Sequence, residues 1–121
     1  MISTSIGEVI DKLSILIIKS KKIVDLDKLS YVLKELEEIR FSVKKIEDEE
    51  FNIFLKKLIK INEKMWKVND KRKLLISNQE FTDEYLELTK SESLLNDQRF
   101  KIKNEINNLY NSEIKEQKSY I

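Results

Sequence analysis

The chain has 121 residues with 23 basic and 22 acidic side chains, a net charge of +1. That length fits one domain, residues 1–121, and that balance gives no global pull toward nucleic acid or an anionic membrane. With no Cys and no His, disulfides, thiolate chemistry, the commonest metal ligand and the commonest general base are all excluded.

Proline is absent and glycine occurs once, at Gly7, while 37% of residues are charged. Nearly the whole chain is therefore expected to be helical, and a phosphate-cradling glycine loop cannot be built. The first residues, MISTSIGEVI, lack the basic and apolar regions of a signal peptide. The longest purely apolar run, ILII at 15–18, falls far below the roughly 18 residues that span a bilayer.

Ser5-Ile6-Gly7-Glu8 reads as a capping box, and Ile6, Ile10, Leu13 and Ile17 follow at helical spacing. This predicts a first helix over roughly 6–24. Asp25 or Asp27 caps a second over roughly 27–47, with Leu29, Leu33, Leu36 and Val43 on its stripe, widened by Val32, Ile39 and Ile46. The acids at 47–50 favour the start of a third helix, roughly 50–77, striped by Phe51, Phe54, Leu58, Ile61, Met65, Val68 and Leu75. A turn at 77–79 and a cap at Thr82 open a fourth, striped by Tyr85, Leu88, Leu95, Ile102, Ile106 and Leu109. It is expected to stop near Asn111, a residue suited to a left-handed C′ position, with a short tail at 112–121. The predicted fold is all-α. A long antiparallel hairpin of helices 3 and 4 carries helices 1 and 2 packed along it, and the hairpin invites a homo-oligomer.

Only Arg40, Arg72 and Arg99 are arginine; the other twenty cations are lysine, and alanine is absent. All three arginines extend apolar stripes, where a guanidinium tolerates partial burial better than an ammonium. They either pair with carboxylates inside the bundle or line an anion pocket. ELEE at 35–38 has the form of an E-x-x-E magnesium motif but lacks a properly spaced second half, so no metal and no cofactor are expected.

Four blocks, IGEVIDKLSILIIK (6–19), NEKMWKVND (62–70), LLNDQRFKIKNEIN (94–107) and KEQKSY (115–120), together resemble the DUF6165 family of small bacterial proteins. The resemblance covers most of the chain. The matching positions are Ile6, Gly7, Glu8, Asp11, Lys12, Leu13, Ile15 and Lys19, then Asn62, Glu63, Trp66 and Asp70. In the third block they are Asn96, Asp97, Arg99, Lys103, Ile106 and Asn107, and in the last Glu116, Lys118, Ser119 and Tyr120. Family members usually have apolar residues where Arg72 and Glu92 stand here, which leaves Arg99 the strongest arginine. The family's function is unknown. Its members tend to occur beside glycosyltransferases and cell-surface polysaccharide genes, which implies a cytoplasmic helper of that synthesis.

In a hairpin turning near residue 79, Asn62 falls level with Asn96 and Trp66 near Glu92, with Glu63 and Asp97 beside the same layer. Arg99 lies one turn further on, with Lys103 beyond it. Glu8, Asp11, Lys12 and Lys19 form a polar edge of helix 1, either solvated or folded over that layer; Glu8 and Lys12 make a favourable i, i+4 pair. Buried amides in a bundle commonly fix register and oligomeric state. Trp66 reads as a core or interface anchor before a stacking platform. Two functions compete. One is a non-enzymatic helical module, dimeric and docking a protein partner. The other is a binder or enzyme for an anionic small molecule, with a site of Asn62, Glu63, Trp66, Asp70, Asn96, Asp97, Arg99 and Lys103. Lysines look scattered among equal numbers of acids, without a basic stripe, so nucleic acid is not an expected partner.

Overall fold

A computed structural model describes the backbone of residues 5–119 and the side chains of residues 5–110. Four helices follow one another, α1 (Ile6–Lys22), α2 (Leu26–Val43), α3 (Glu49–Ser77) and α4 (Asp83–Ser119), with a 3₁₀ turn at Lys44–Ile46. The all-α expectation holds: α3 and α4 form the long hairpin, and α1 and α2 pack on it. Among the described residues no helix is long and apolar enough to cross a membrane.

The helix starts follow from side-chain caps. Ser5 accepts the Glu8 N–H at 3.3 Å, Asp25 that of Lys28 at 3.1 Å, and Asp48 that of Phe51 at 2.8 Å. Each satisfies a donor that the first turn leaves unpaired. The capping box at Ser5 is only half made, because the Glu8 carboxylate turns to Lys103. At the other end of the hairpin α3 closes in a Schellman motif. Glu80 N–H donates to Leu75 C=O at 2.8 Å and Gln79 N–H to Ile76 C=O at 3.0 Å. Gln79 carries a φ of 57° to make that turn.

Two expectations fail here. The fourth helix does not stop at Asn111 but runs on to Ser119. Asn costs an α-helix only a fraction of a kcal/mol, at most about 0.7 relative to Ala, and no Gly or Pro follows to break it. The side chains of residues 111–119 and the whole of Tyr120 lie outside the described residues, and with them every side chain of the KEQKSY block. Arg40 is exposed, as is Leu33 of the same expected stripe, because α2 rests chiefly on α1 and seals little beyond Val43.

Instead, α1 is the central helix. It touches α2 on one side and both α3 and α4 on the other, so it buries most of its circumference. Ile10, Leu13, Val43, Phe51, Leu55, Leu58, Ile106 and Tyr110 form one core. Leu16 and Ile18, off the expected stripe, are buried too. Seventeen residues of α1 reach only about 25 Å, while the twenty-nine of α3 reach about 43 Å. The end of α1 is marked by Lys22, whose ammonium lies 5.8 Å from the centre of the Trp66 ring. Beyond Trp66, α3 and the first half of α4 project as a bare two-helix arm in which Leu75 alone is buried.

Candidate functional site

Three polar residues are buried among the described ones: Asp11 (2% exposed), Ser14 and Asn62. They lie together. Asn62 Nδ2 donates to Asp11 Oδ1 at 3.0 Å and to Ser14 Oγ at 2.8 Å, and Ser14 Oγ donates to the Asp11 carbonyl at 2.6 Å. Arg99 closes the group from α4, with Nε donating to Asp11 Oδ1 at 2.9 Å and Nη2 to Oδ2. This is the bidentate fork in which an arginine holds a carboxylate most tightly. Lys103, one turn on, donates to Glu8 at 2.5 Å and sits 3.9 Å from Asp11.

A second contact locks the start of α1 onto α4. The Gly7 N–H is one of the donors a helix leaves unpaired at its start. It donates to Asn107 Oδ1 at 2.7 Å. A Cβ at Gly7 would lie 2.6 Å from the Lys103 carbonyl oxygen and 2.8 Å from Asn107 Oδ1, so only glycine lets the helices come this close.

Two carboxylates, Glu8 and Asp11, thus face two cations, Arg99 and Lys103. The Arg99 guanidinium has its pKa pushed further up, first by the hydrogen bond to Asp11 and then by the charges of Asp11 and Glu8, against the opposing effect of burial. Its charge is fixed at any pH the protein meets. The expected pairing of Asn62 with Asn96 is corrected by these bonds. Both hydrogens of the Asn62 amide nitrogen go to α1, and Asn96 is exposed. The connection spans residues 78–82, centred on Glu80, which moves the position opposite Asn62 past Asn96, and α1, packed against both helices, brings Asp11 between Asn62 and Arg99.

Of the predicted residues, Glu8, Asp11, Asn62, Arg99 and Lys103 converge. Lys12 pairs with Glu35 of α2 at 2.9 Å instead, and Lys19 lines the shallow groove beside that pair. Trp66 is half-buried next to Asn62, in a groove with Ile15, Ile18, Met65, Asn69 and Arg99. Asn96 lines a wider groove of about 520 Å³ on the arm, with Asn69, Arg72, Thr89 and Glu92. Glu63 is half-buried, and Asp70 and Asp97 are exposed; none of the three is brought into the polar group. Ser14 was missed. Its signal was present, since Asp11 and Ser14 recur at i, i+3, each directly after an apolar residue of the expected stripe, Ile10 and Leu13.

Chemically the group holds three helices in one register. Its charges are matched and its bidentate cation is taken, so it offers a structural lock before a vacant anion site. Compared with protein-family models, with curated proteins and with solved structures, the chain matches none.

Proposed function

We propose that the chain is a non-enzymatic helical assembly module whose bare arm pairs with that of a second copy. The observation that carries this reading is the arm's exposed apolar surface. Ile76, Phe81 and Leu86 all stand open to solvent at its tip, Phe81 with 66% exposure. A single small chain rarely displays so many large apolar side chains together without a partner. The charges support a second copy as that partner. Lys71 and Lys73 stand on α3 ahead of its last turn, and Asp83, Glu84 and Glu87 begin α4. A two-fold pair of arms brings the basic helix of each onto the acidic helix of the other. Leu26 and Phe41 on α2, also open, offer a separate surface for a different protein. The DUF6165 resemblance points to a cytoplasmic partner in cell-surface polysaccharide synthesis, a glycosyltransferase first.

Light scattering on the purified chain tests the reading. We expect a dimer that becomes monomeric in Phe81→Ser/Leu86→Ser, with the helical signal retained. A strict monomer at all concentrations ends the proposal. The competing reading, an anionic small molecule bound around Asn62, Asn96, Asp97 and Arg99, has one feature in its favour, the polar groove that Arg72 and Arg99 share. Each of those guanidinium groups already holds a carboxylate. A thermal-shift screen of phosphate- and carboxylate-bearing compounds that stabilises the wild type but not Asn96→Ala would restore it.

A further inference from the structure

The lysines that look scattered in the sequence are not scattered on α3. Lys57, Lys60, Lys64, Lys67 and Lys71 recur at spacings of three, four, three and four, and all five are exposed. At 3.6 residues per turn this spacing draws one line along the helix, about 21 Å long. The pattern extends at both ends by Ile53, four residues before, and Leu74, three residues after, apolar residues that are also exposed. Residues 56–73 hold eight cations against two carboxylates, a local charge of +6 in a chain whose total is +1. Among the described residues none of the five lysines is in an ion pair. Glu63 and Asp70 lie roughly a quarter-turn to one side by the helical period. Lys57 sits over the Phe54 ring at 5.7 Å and is still exposed.

We propose that this line is a docking surface for an anionic phospholipid bilayer, along which α3 lies flat. The spacing sets all five ammonium groups on one side of the helix axis, which suits a plane of headgroups. Ile53 and Leu74 then meet the interface at either end, while the main apolar face of α3 stays in the protein core, so the attraction is chiefly that of a polybasic surface for anionic headgroups. A nucleic acid fits the line less well. α4 runs alongside α3, and two packed helices of about 10–12 Å each are too broad for a major groove of about 12 Å. The line has no aromatic ring on which a base could stack and no arginine to read a base edge. Of the five lysines only Lys71 also belongs to the charged surface proposed for dimerisation, so the line is tested at Lys60, Lys64 and Lys67, which lie further from the tip that holds Ile76, Phe81 and Leu86.

The test is co-sedimentation of the full chain with vesicles of phosphatidylcholine alone, or with about one third phosphatidylglycerol, at low and at high salt. We expect binding only to the anionic vesicles, weakened by salt. Lys60→Glu/Lys64→Glu/Lys67→Glu should lower the affinity by about a hundredfold or more, since each lysine at such a surface is worth roughly a fivefold change. Lys34→Glu/Lys44→Glu/Lys45→Glu, three exposed lysines elsewhere, changes the net charge equally and should bind nearly as the wild type does. Circular dichroism checks that each variant folds, and Lys→Gln at the same three positions replaces the charge reversal if it does not. No sedimentation with anionic vesicles overturns the proposal. So does an equal loss in both variants, which would mean net charge alone. So does displacement of the chain from vesicles by an oligonucleotide of matched charge, which would make nucleic acid the preferred partner.

Discussion

The base and the arm of this molecule are built from the same helices, yet they are held in different ways. In the base, α1 lies against α3 and α4 and supplies a third wall, so Phe51, Leu58 and Ile106 are buried together with Ile10 and Leu13. In the arm the same two helices continue without α1, and Leu75 is the one residue that reaches burial. Two helices alone cannot enclose a core, because each presents only a stripe to the other. Each part also has an arginine–carboxylate pair across helices, Arg99 with Asp11 in the base and Arg72 with Glu92 in the arm. Local stability should therefore divide at Trp66. Amide exchange should be slowest in 10–18 and 51–62, through global unfolding, and faster in 67–94, through opening of the arm alone. Uniform protection along α3 would contradict the division.

The largest expected effect is at Arg99. Replacing it by Ala leaves the buried Asp11 carboxylate with only Asn62 and the distant Lys103, and breaking such a pair costs about 3–5 kcal/mol. Urea unfolding of Arg99→Ala should show a loss of that order. Gly7→Ala comes next. The new methyl meets the Lys103 carbonyl, which is helix backbone and cannot move alone, so α1 must back away from α4. Overpacking of this kind costs about 1–3 kcal/mol. A Gly7→Ala chain as stable as wild type would mean that the helices approach less closely than they do here.

Gln79→Gly should act in the opposite direction. Its φ of 57° places a residue with a Cβ in the left-handed region at the tip. Glycine removes a strain of about 1 kcal/mol there without disturbing the two backbone bonds that close α3. The gain should appear as slower exchange in the arm and little change in the base.

The sequence made the helices legible, since Ser5, Asp25 and Asp48 stand where caps are needed and the apolar spacing is regular. Of the twelve candidate site residues that it offered, Glu8, Asp11, Asn62, Arg99 and Lys103 come together, while Glu63, Asp70, Asn96 and Asp97 stay outside the group. It did not reveal who meets whom. Register depends on the length of one turn, which moves Asn96 off the level of Asn62, and the docking of α1 against both helices gives Asn62 its partners, Asp11 and Ser14. The burial of Asp11 was hidden because it depends on α1 being enclosed on both sides, a property of the assembly and not of the helix. The lysine line was hidden by composition: a chain with equal acids and bases can still segregate them by helix.

The smallest effect should come from Arg72, and it tests the comparison most directly. Arg72 and Glu92 make the same chemical pair as Arg99 and Asp11, but their side chains are 22% and 33% exposed against 3% for Asp11. Water already solvates part of both charges, so pairing replaces less hydration and screening by salt is stronger. Arg72 also brings a cost of its own, since its Nε is buried with no hydrogen-bond partner among the described residues. Against that stands the guanidinium stacked over the Tyr85 ring at 5.6 Å, worth about 0.5–1 kcal/mol at a partly open site. These contributions nearly offset, so Arg72→Ala should lower stability by about 1 kcal/mol or less, and less still in high salt. A double-mutant cycle with Glu92→Ala isolates the pair. A coupling as large as that of Arg99 with Asp11 would show that the arm is as enclosed as the base, through a second copy seated on it, and repeating the cycle in the monomeric Phe81→Ser/Leu86→Ser background would tell whether that copy is the cause.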